Sequence, residues 1–296
     1  MTLDQLRIFL AVAEREHITR AAEALNLTPS ATSSAISALE TRHAVRLFDR
    51  IGRRIVLSDA GRHFLPEARR LLAHAARTER VLEDLAGLAQ GHLRLIASQT
   101  AGTYWLPPLL ARYRQAYPGI TLDIRLSNSE TAARAVRDLE ADLAVIEDAC
   151  HDDLLLVEPL VRDRMMLVRA KAQAGQPLDP RTQDWVLREH GSGTRAIFDR
   201  WLESQNIAPA DLSPSLELPS NEAVRAAVEA DAGASILSEM VVASSVAAGR
   251  LDCVALDLAP RPFSLLRHRE RPFTRAEAAL AAILRGKTGG GTATRS

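Results

Sequence analysis

The feature that most constrains this chain is the stretch Ile18–Glu40, in which two short helical patterns are joined by a tight polar turn. Thr19 suits an N-cap for the first helix, and Ala21, Ala22, Ala24 and Leu25 supply helix formers with an apolar side. Asn26 tolerates the left-handed backbone that ends a helix. Thr28 and Pro29 then restart one, with a cap oxygen and a proline at the first helical position, where no N–H is missed. In this second helix Ser30, Ser33, Ser34 and Ser37 fall at i, i+3, i+4 and i+7, one stripe of small hydroxyls. Thr32, Ile36 and Leu39 lie opposite and can pack on Leu25 and Leu27. A helix packed on one side and thin on the other fits a major groove about 12 Å wide. Thr28, Ser30, Thr32, Ser33, Ser34 and Ser37 are the candidate DNA contacts of this segment. The same pattern suits an ordinary helical hairpin with a solvated serine face.

Charge decides little globally and more locally. The 296 residues carry 37 Lys+Arg and 37 Asp+Glu, so net charge excludes neither a nucleic-acid partner nor its absence. From Arg42 to Arg62, six arginines (42, 46, 50, 53, 54 and 62) stand against Asp49 and Asp59, a surplus of four directly after the serine helix. Arg50 to Leu57 reads as a short hairpin turning at Gly52. It would hold Arg53 and Arg54 against backbone phosphates, which fix register without reading sequence; a solvated basic turn is the other reading. Arg42 and Arg50 join them as candidate DNA contacts, with Arg46 beside them.

Before this region, Thr2-Leu3-Asp4-Gln5 has the form of a capping box opening an amphipathic helix. After it, Ser58 caps a helix expected from Asp59 to about Leu85. There Phe64, Ala68, Leu71, Ala75, Thr78, Leu82 and Leu85 repeat every three or four residues as a heptad seam. Such a helix pairs with a second copy, or packs on its own domain. Gly87 to Gly91 marks a boundary, after which strands and helices alternate: strands at 92–98, 121–126, 142–146, 165–168, 185–188, 216–218, 234–237 and 263–267, with helices between. That alternation predicts a mainly parallel sheet covered by helices. The expected organisation is a winged helix-turn-helix over 1–58, a linker helix over 59–86 and a two-lobed α/β domain over 91–286. Lobe 1 takes about 91–160 and 267–286, and lobe 2 about 161–266. The glycine-rich end, 287–296, is expected to be disordered.

These motifs, in this order, resemble those of LysR-type transcriptional regulators. The carriers are the helix-turn-helix, Arg46-Leu47-Phe48-Asp49-Arg50 with Gly52-Arg53-Arg54, the Leu57–Gly61 start of a long helix, and a two-lobed α/β remainder. The resemblance covers nearly the whole chain. It implies a multidomain α and α/β fold with a C-terminal effector domain built like a periplasmic binding protein. It also implies double-stranded promoter DNA and a small metabolite as partners, a homodimer through 59–86, a homotetramer, and a possible contact with RNA polymerase. The chain departs from the family at two places. Where a Gln-Pro and a central Arg or Gln are usual, it has Pro29, Ser30, Ser34 and Ala35, so no bidentate base reader is available. The usual Leu-Gly after the recognition helix is His43-Ala44, which strains the turn.

Four strand-to-helix junctions carry small polar groups: Ser98-Gln99-Thr100, Ser127-Asn128-Ser129, Gly191-Ser192-Gly193-Thr194 and Ser220-Asn221. Each sets hydroxyls and free N–H groups at a helix N-terminus, which favours anions, although every helix also needs a cap. In a two-lobed fold the strand ends face the interlobe cleft. The resemblance assigns Ser98, Thr100, Gly102, Asn128, Gly193, Thr194 and Asn221 to the effector pocket, with a small anion as ligand.

No enzymatic chemistry is legible. His190 stands where a nucleophile elbow around Ser192 needs glycine. Walker and dinucleotide glycine patterns are absent from the sequence, and the eight histidines lack zinc-ligand spacing. No metal and no resident cofactor are expected. Cys150 and Cys253 make no disulfide framework and read as buried, inert thiols. No membrane span or signal-type start is read, so a cytoplasmic location is expected.

Overall fold

Capping decides where the first helices begin. In the computed structural model the Thr2 hydroxyl accepts from Gln5 N at 3.1 Å while Thr2 N donates to Gln5 Oε1 at 3.0 Å, which opens α1 (Leu3–Arg15). The next helix, α2 (Ile18–Ala24), starts one residue before Thr19. His17 is its cap, its ring nitrogen accepting from Arg20 N, so the expected Thr19 cap is displaced. Asn26 takes φ 54°, as its position requires. Thr28 caps α3 (Pro29–His43) through Ala31 N, with Pro29 in the first turn.

The structure describes residues 1–51, 54–85, 91–208, 212, 216–254, 258 and 260–286. They form two units, Met1–Leu82 with Asp138–Glu140, and a second built from Glu83–Arg137 and Ala141 onward. Gly52, Arg53 and the tail over 287–296 lie outside the described residues.

In the first unit, strands β1 (Phe48–Ile51) and β2 (Arg54–Leu57) pair antiparallel, Phe48 opposite Leu57 and Arg50 opposite Ile55. Helix α4 follows (Asp59–Leu85). Phe9 is fully buried between Phe48 and Phe64, with ring centroids 5.3 and 5.1 Å away, and Leu6, Ile36, Leu39 and Ala68 close the core around it. Gly61 lets α4 start against the preceding turn: a Cβ there would lie 2.0 Å from the Leu47 carbonyl oxygen. The Ser58 hydroxyl accepts from Gly61 N and donates to Arg46 O, so it ties that turn to the helix it caps.

In the second unit β3 (Gly91–Ser98) leads through a π-helical turn (Ala101–Trp105) into α5 (Leu106–Ala116). Then come β4 (Ile120–Ser127), α6 (Ser129–Arg137), β5 (Leu143–Glu147) and β6 (Leu155–Asp163). Only Arg164 separates β6 from β7 (Met165–Ala170). Next are β8 (Val186–Arg188), α7 (Gly193–Ser204), β9 (Leu216–Leu218), α8 (Asn221–Glu229), β10 (Ser235–Ser238), α9 (Glu239–Ala247) and β11 (Leu251–Val254). The chain ends this unit with β12 (Arg261–His268) and α10 (Arg275–Leu284).

Lobe 1 is a five-stranded sheet in the order β4-β3-β5-β12-β6. Strands β4, β3 and β5 are parallel, and β12 runs antiparallel to both β5 and β6. Alternate residues serve opposite faces. Leu95, Ala97, Val145 and Phe263 pack against α5 and α10, while Ile96, Ala144, Ile146 and Leu266 pack against α6.

Lobe 2 has the three-stranded sheet β10-β7-β11, antiparallel throughout, beside the parallel pair β8-β9. The expected mainly parallel sheet is thus corrected to mixed pairing. Strands β6, β11 and helix α9 were not legible. The apolar residues of β6 run together as Leu155–Val157 and Leu160–Val161 instead of alternating, β11 is only four residues long, and α9 is apolar over most of its surface, so none gives a clean period. The return to lobe 1 also comes earlier than residue 267, because β12 joins the lobe 1 sheet from Arg261.

Candidate nucleic-acid interface and effector site

On α3, Ser30, Ser34 and Ser37 are exposed and Ser33 is half-buried, so the stripe faces outward. Thr28 is exposed but occupied: its hydroxyl caps Ala31 N and meets the Ser30 hydroxyl at 3.0 Å. Thr32 is corrected. It is 0% exposed, on the side that Ile36 and Leu39 turn to the core, and cannot touch DNA without unpacking the helix. Leu27, expected to pack, stays 40% exposed. Arg42, Arg46 and Arg50 are exposed. Arg53 lies outside the described residues, and Arg54 enters through its backbone pairing with Ile51.

Helix α3 also supplies a residue that periodicity could not flag. Glu40 Oε1 accepts from Leu47 N at 2.7 Å and Phe48 N at 3.2 Å, which fixes the approach of the wing to the helix. Ala44 ends α3 in the left-handed region, φ 51°, where glycine is the unstrained choice.

The heptad seam on α4 divides. Ala68 is buried and Phe64 packs in this unit's own core, whereas Leu71 is 42% exposed and Ala75 half-buried. Its first turns are therefore spent within the domain. The side chains of Leu82 and Leu85 lie outside the described residues.

The effector-site residues sit at strand ends between the two lobes of the second unit, and three of the four junctions behave as caps. Asn128 Oδ1 accepts from Thr131 N at 2.9 Å, Ser192 Oγ from Thr194 N at 3.2 Å and Ser220 Oγ from Ala223 N at 3.0 Å. Asn128 also donates to Glu189 Oε1 at 3.3 Å across the lobes. Gly193 is required by packing, because a Cβ would fall 1.8 Å from the Glu147 carbonyl oxygen. Gly102 lies in the π-helical turn against the Leu126 side chain.

The first junction is different. Thr100 makes no side-chain cap. The amides of Thr100 and Ala101 instead donate to Glu147 Oε1, at 2.7 and 3.2 Å. Glu147 Oε2 lies 2.7 Å from Arg261 Nη1 and accepts from the Thr194 hydroxyl at 3.5 Å. Arg261 also donates to Asp163 Oδ2 through Nε at 2.9 Å, to Thr194 Oγ1 at 3.1 Å and to Thr100 Oγ1 at 3.2 Å. Asn221 Nδ2 reaches Thr100 Oγ1 at 2.9 Å, and Asn221 in turn accepts from Arg188. Ser98, Thr100, Thr194 and Asn221 are brought together, all buried, around a carboxylate the chain itself supplies.

Glu147 and Arg261 are each 2% exposed. Burial alone would push the Glu147 carboxyl up. The Arg261 guanidinium, with the Thr100 hydroxyl and the Ala101 amide, outweighs it and holds Glu147 below the ordinary carboxylate value. Asp163 goes the other way: burial raises it despite Arg261 and the Ser238 hydroxyl, which donates at 2.6 Å. None of Glu147, Asp163, Arg188 and Arg261 was among the expected site residues. One signal was present. Glu147 ends the apolar run Leu143–Ile146, where a charged residue at a strand terminus faces the cleft.

Beside this cluster, a cleft of about 380 Å³ opens between α6 and the start of α7, lined by Glu130, Arg134, Arg137, Asp148, His190 and Arg195 among others. Among the described residues no group of three or more His, Cys, Asp or Glu could hold a metal, and no helix is long and apolar enough to cross a membrane. Cys150 and Cys253 are half-buried free thiols, both pushed up by burial, with Asp152 and Asp252 adding to it.

Comparison with known proteins adds the lineage. Residues 3–62 match the bacterial regulatory helix-turn-helix protein family, lysR type, and residues 86–289 match the LysR substrate binding domain. The uncharacterized HTH-type transcriptional regulator YeiE of Escherichia coli (strain K12) is 35% identical over 287 residues, covering 93% of this chain and 94% of that protein. Full-length CbnR in complex with its target DNA aligns over 97% of this chain and 100% of its own, with a TM-score of 0.70 at 21% identity, which shows a common fold. The CcmR regulatory domain of Synechocystis PCC6803, solved with 2-PG, is 25% identical over 68% of this chain and 99% of its own, TM-score 0.60. With a helix-turn-helix, its outward serine stripe and a two-lobed effector domain in place, this chain belongs to the LysR family of DNA-binding transcriptional regulators and is not an enzyme.

Proposed function

We propose that this regulator engages promoter DNA with the Ser30, Ser33, Ser34 and Ser37 face of α3 while Arg42, Arg50, Arg53 and Arg54 hold phosphates. A small anionic metabolite between the lobes of the second unit changes that engagement. The observation that carries the effector half is the Thr100–Ala101 amide pair: it is already filled by a buried carboxylate, so its donors and Arg261 suit an anion. The CcmR regulatory domain, solved in complex with 2-PG, supports a small molecule as the effector.

The working form is a homodimer through residues 59–86, assembled further into a homotetramer in the cytoplasm, with RNA polymerase as a possible partner at the promoter. The exposed Leu71 on α4 supports the dimer contact.

Footprinting on the DNA upstream of the gene tests the reading. Protection of two half-sites about one helical turn apart, lost with Ser33→Glu and shifted by a small anion, is the expected result. Protection indifferent to every anion tried, and to Thr100→Val, would leave a DNA binder without this effector site.

A further inference from the structure

We infer that Glu147 makes the interlobe site selective for oxyanions that carry a proton, of the hydrogen-phosphate kind, over fully deprotonated ones such as sulfate. This rests on the anion reading above and deepens it.

The argument is one of donors and acceptors. Glu147 Oε1 takes both amides of the π-helical turn, and Oε2 takes Arg261 and the Thr194 hydroxyl. An anion that occupies the same amides removes two donors from Glu147 and sets a second negative charge against it. The charged groups around Glu147 do not cancel this. Arg261 on β12 is shared with Asp163 on β6, and Arg188 on β8 is taken by Glu189 at 2.8 Å. A buried carboxylate deprived of donors is costly. An incoming O–H restores one: it donates to Glu147 while the ligand's remaining oxygens accept from the amides and Arg261. Sulfate at neutral pH has no hydrogen to offer. Sites built to bond a ligand hydroxyl reject analogues lacking it by large factors.

The test is calorimetric titration of the full chain with inorganic phosphate and with inorganic sulfate at pH 7. Wild type is expected to bind phosphate with sulfate roughly 100-fold weaker, the cost of one buried acceptor left without its donor. Glu147→Gln, which offers an amide donor in the same volume, should bring the two anions within about tenfold, chiefly by gaining sulfate. Glu147→Asp keeps the acceptor and should keep the preference at lower affinity. Equal binding of both anions by wild type, or an unchanged ratio in Glu147→Gln, overturns the selectivity while leaving an anion site. Absence of binding of either anion to any of the three proteins overturns the anion site itself, and the selectivity with it.

Discussion

Arginine does opposite work in the two units of this protein. In the first, Arg42, Arg46 and Arg50 stand exposed beside a stripe of serines, in a region with a local basic surplus. In the second, Arg188, Arg195 and Arg261 are buried and held by carboxylates: Glu189 for Arg188, Asp199 at 2.8 Å for Arg195, Glu147 and Asp163 for Arg261. An exposed guanidinium is free to release counterions from a phosphate backbone. A buried one is committed to its partners and shapes a site through the donors it has left. The two surfaces therefore answer to different perturbations.

The largest expected effect tests the first. Ser33→Glu puts a carboxylate on the outward face of α3, against phosphates and base acceptors, and should weaken operator binding by several kcal/mol, roughly 1000-fold, without unfolding the helix. Circular dichroism and a gel shift on the footprinted operator separate the two; wild-type affinity would remove α3 from the groove.

Next is the buried side of the contrast. Arg261→Ala strands Glu147 and Asp163 and should cost the second unit about 3–5 kcal/mol in denaturant unfolding. A loss below about 1 kcal/mol would mean that the cluster is solvated and that the contrast between units is one of degree.

Arg50→Ala should do something milder. Non-specific and specific DNA binding should weaken alike, and the slope of log K against log salt should fall by about 0.9, one phosphate contact. A change in sequence preference instead would turn Arg50 from a positioning residue into a base reader.

The smallest effect concerns strain. Ala44 sits at φ 51°, so Ala44→Gly should raise the stability of the first unit by about 1 kcal/mol, read as an upward shift of its melting temperature. No gain would show that the Ala44 N–H bonds to Glu40 and Thr41 carbonyls already offset the backbone cost.

Much of the first unit was legible in order along the chain because its information is local. Thr2, Thr28 and Ser58 cap within three residues, Asn26 serves its own turn, and the serine stripe follows from a period of 3.6. Local reasoning erred there at Thr32 and at the cap of α2. Thr32 shares the polar character of its neighbours and is offered as a DNA contact, although its helical position with Ile36 and Leu39 already puts it on the packed side, where the structure buries it. His17 takes the cap of α2 in place of Thr19, its ring nitrogen accepting from Arg20 N.

In the second unit the sequence by itself determined the alternation of strands and helices and the polar junctions at strand ends. It also placed Ser98, Thr100, Thr194 and Asn221 among the residues that face the cleft. Tertiary structure alone decided what meets there. Glu147, Asp163 and Arg261 are separated by up to 114 residues along the chain (261 − 147), and β5, β6 and β12 become neighbours only through the sheet order. A strand's pattern states which face is buried, not which strand lies beside it. The charge pairing, the filled amide cradle and the selectivity inferred from them belong to that second kind of information.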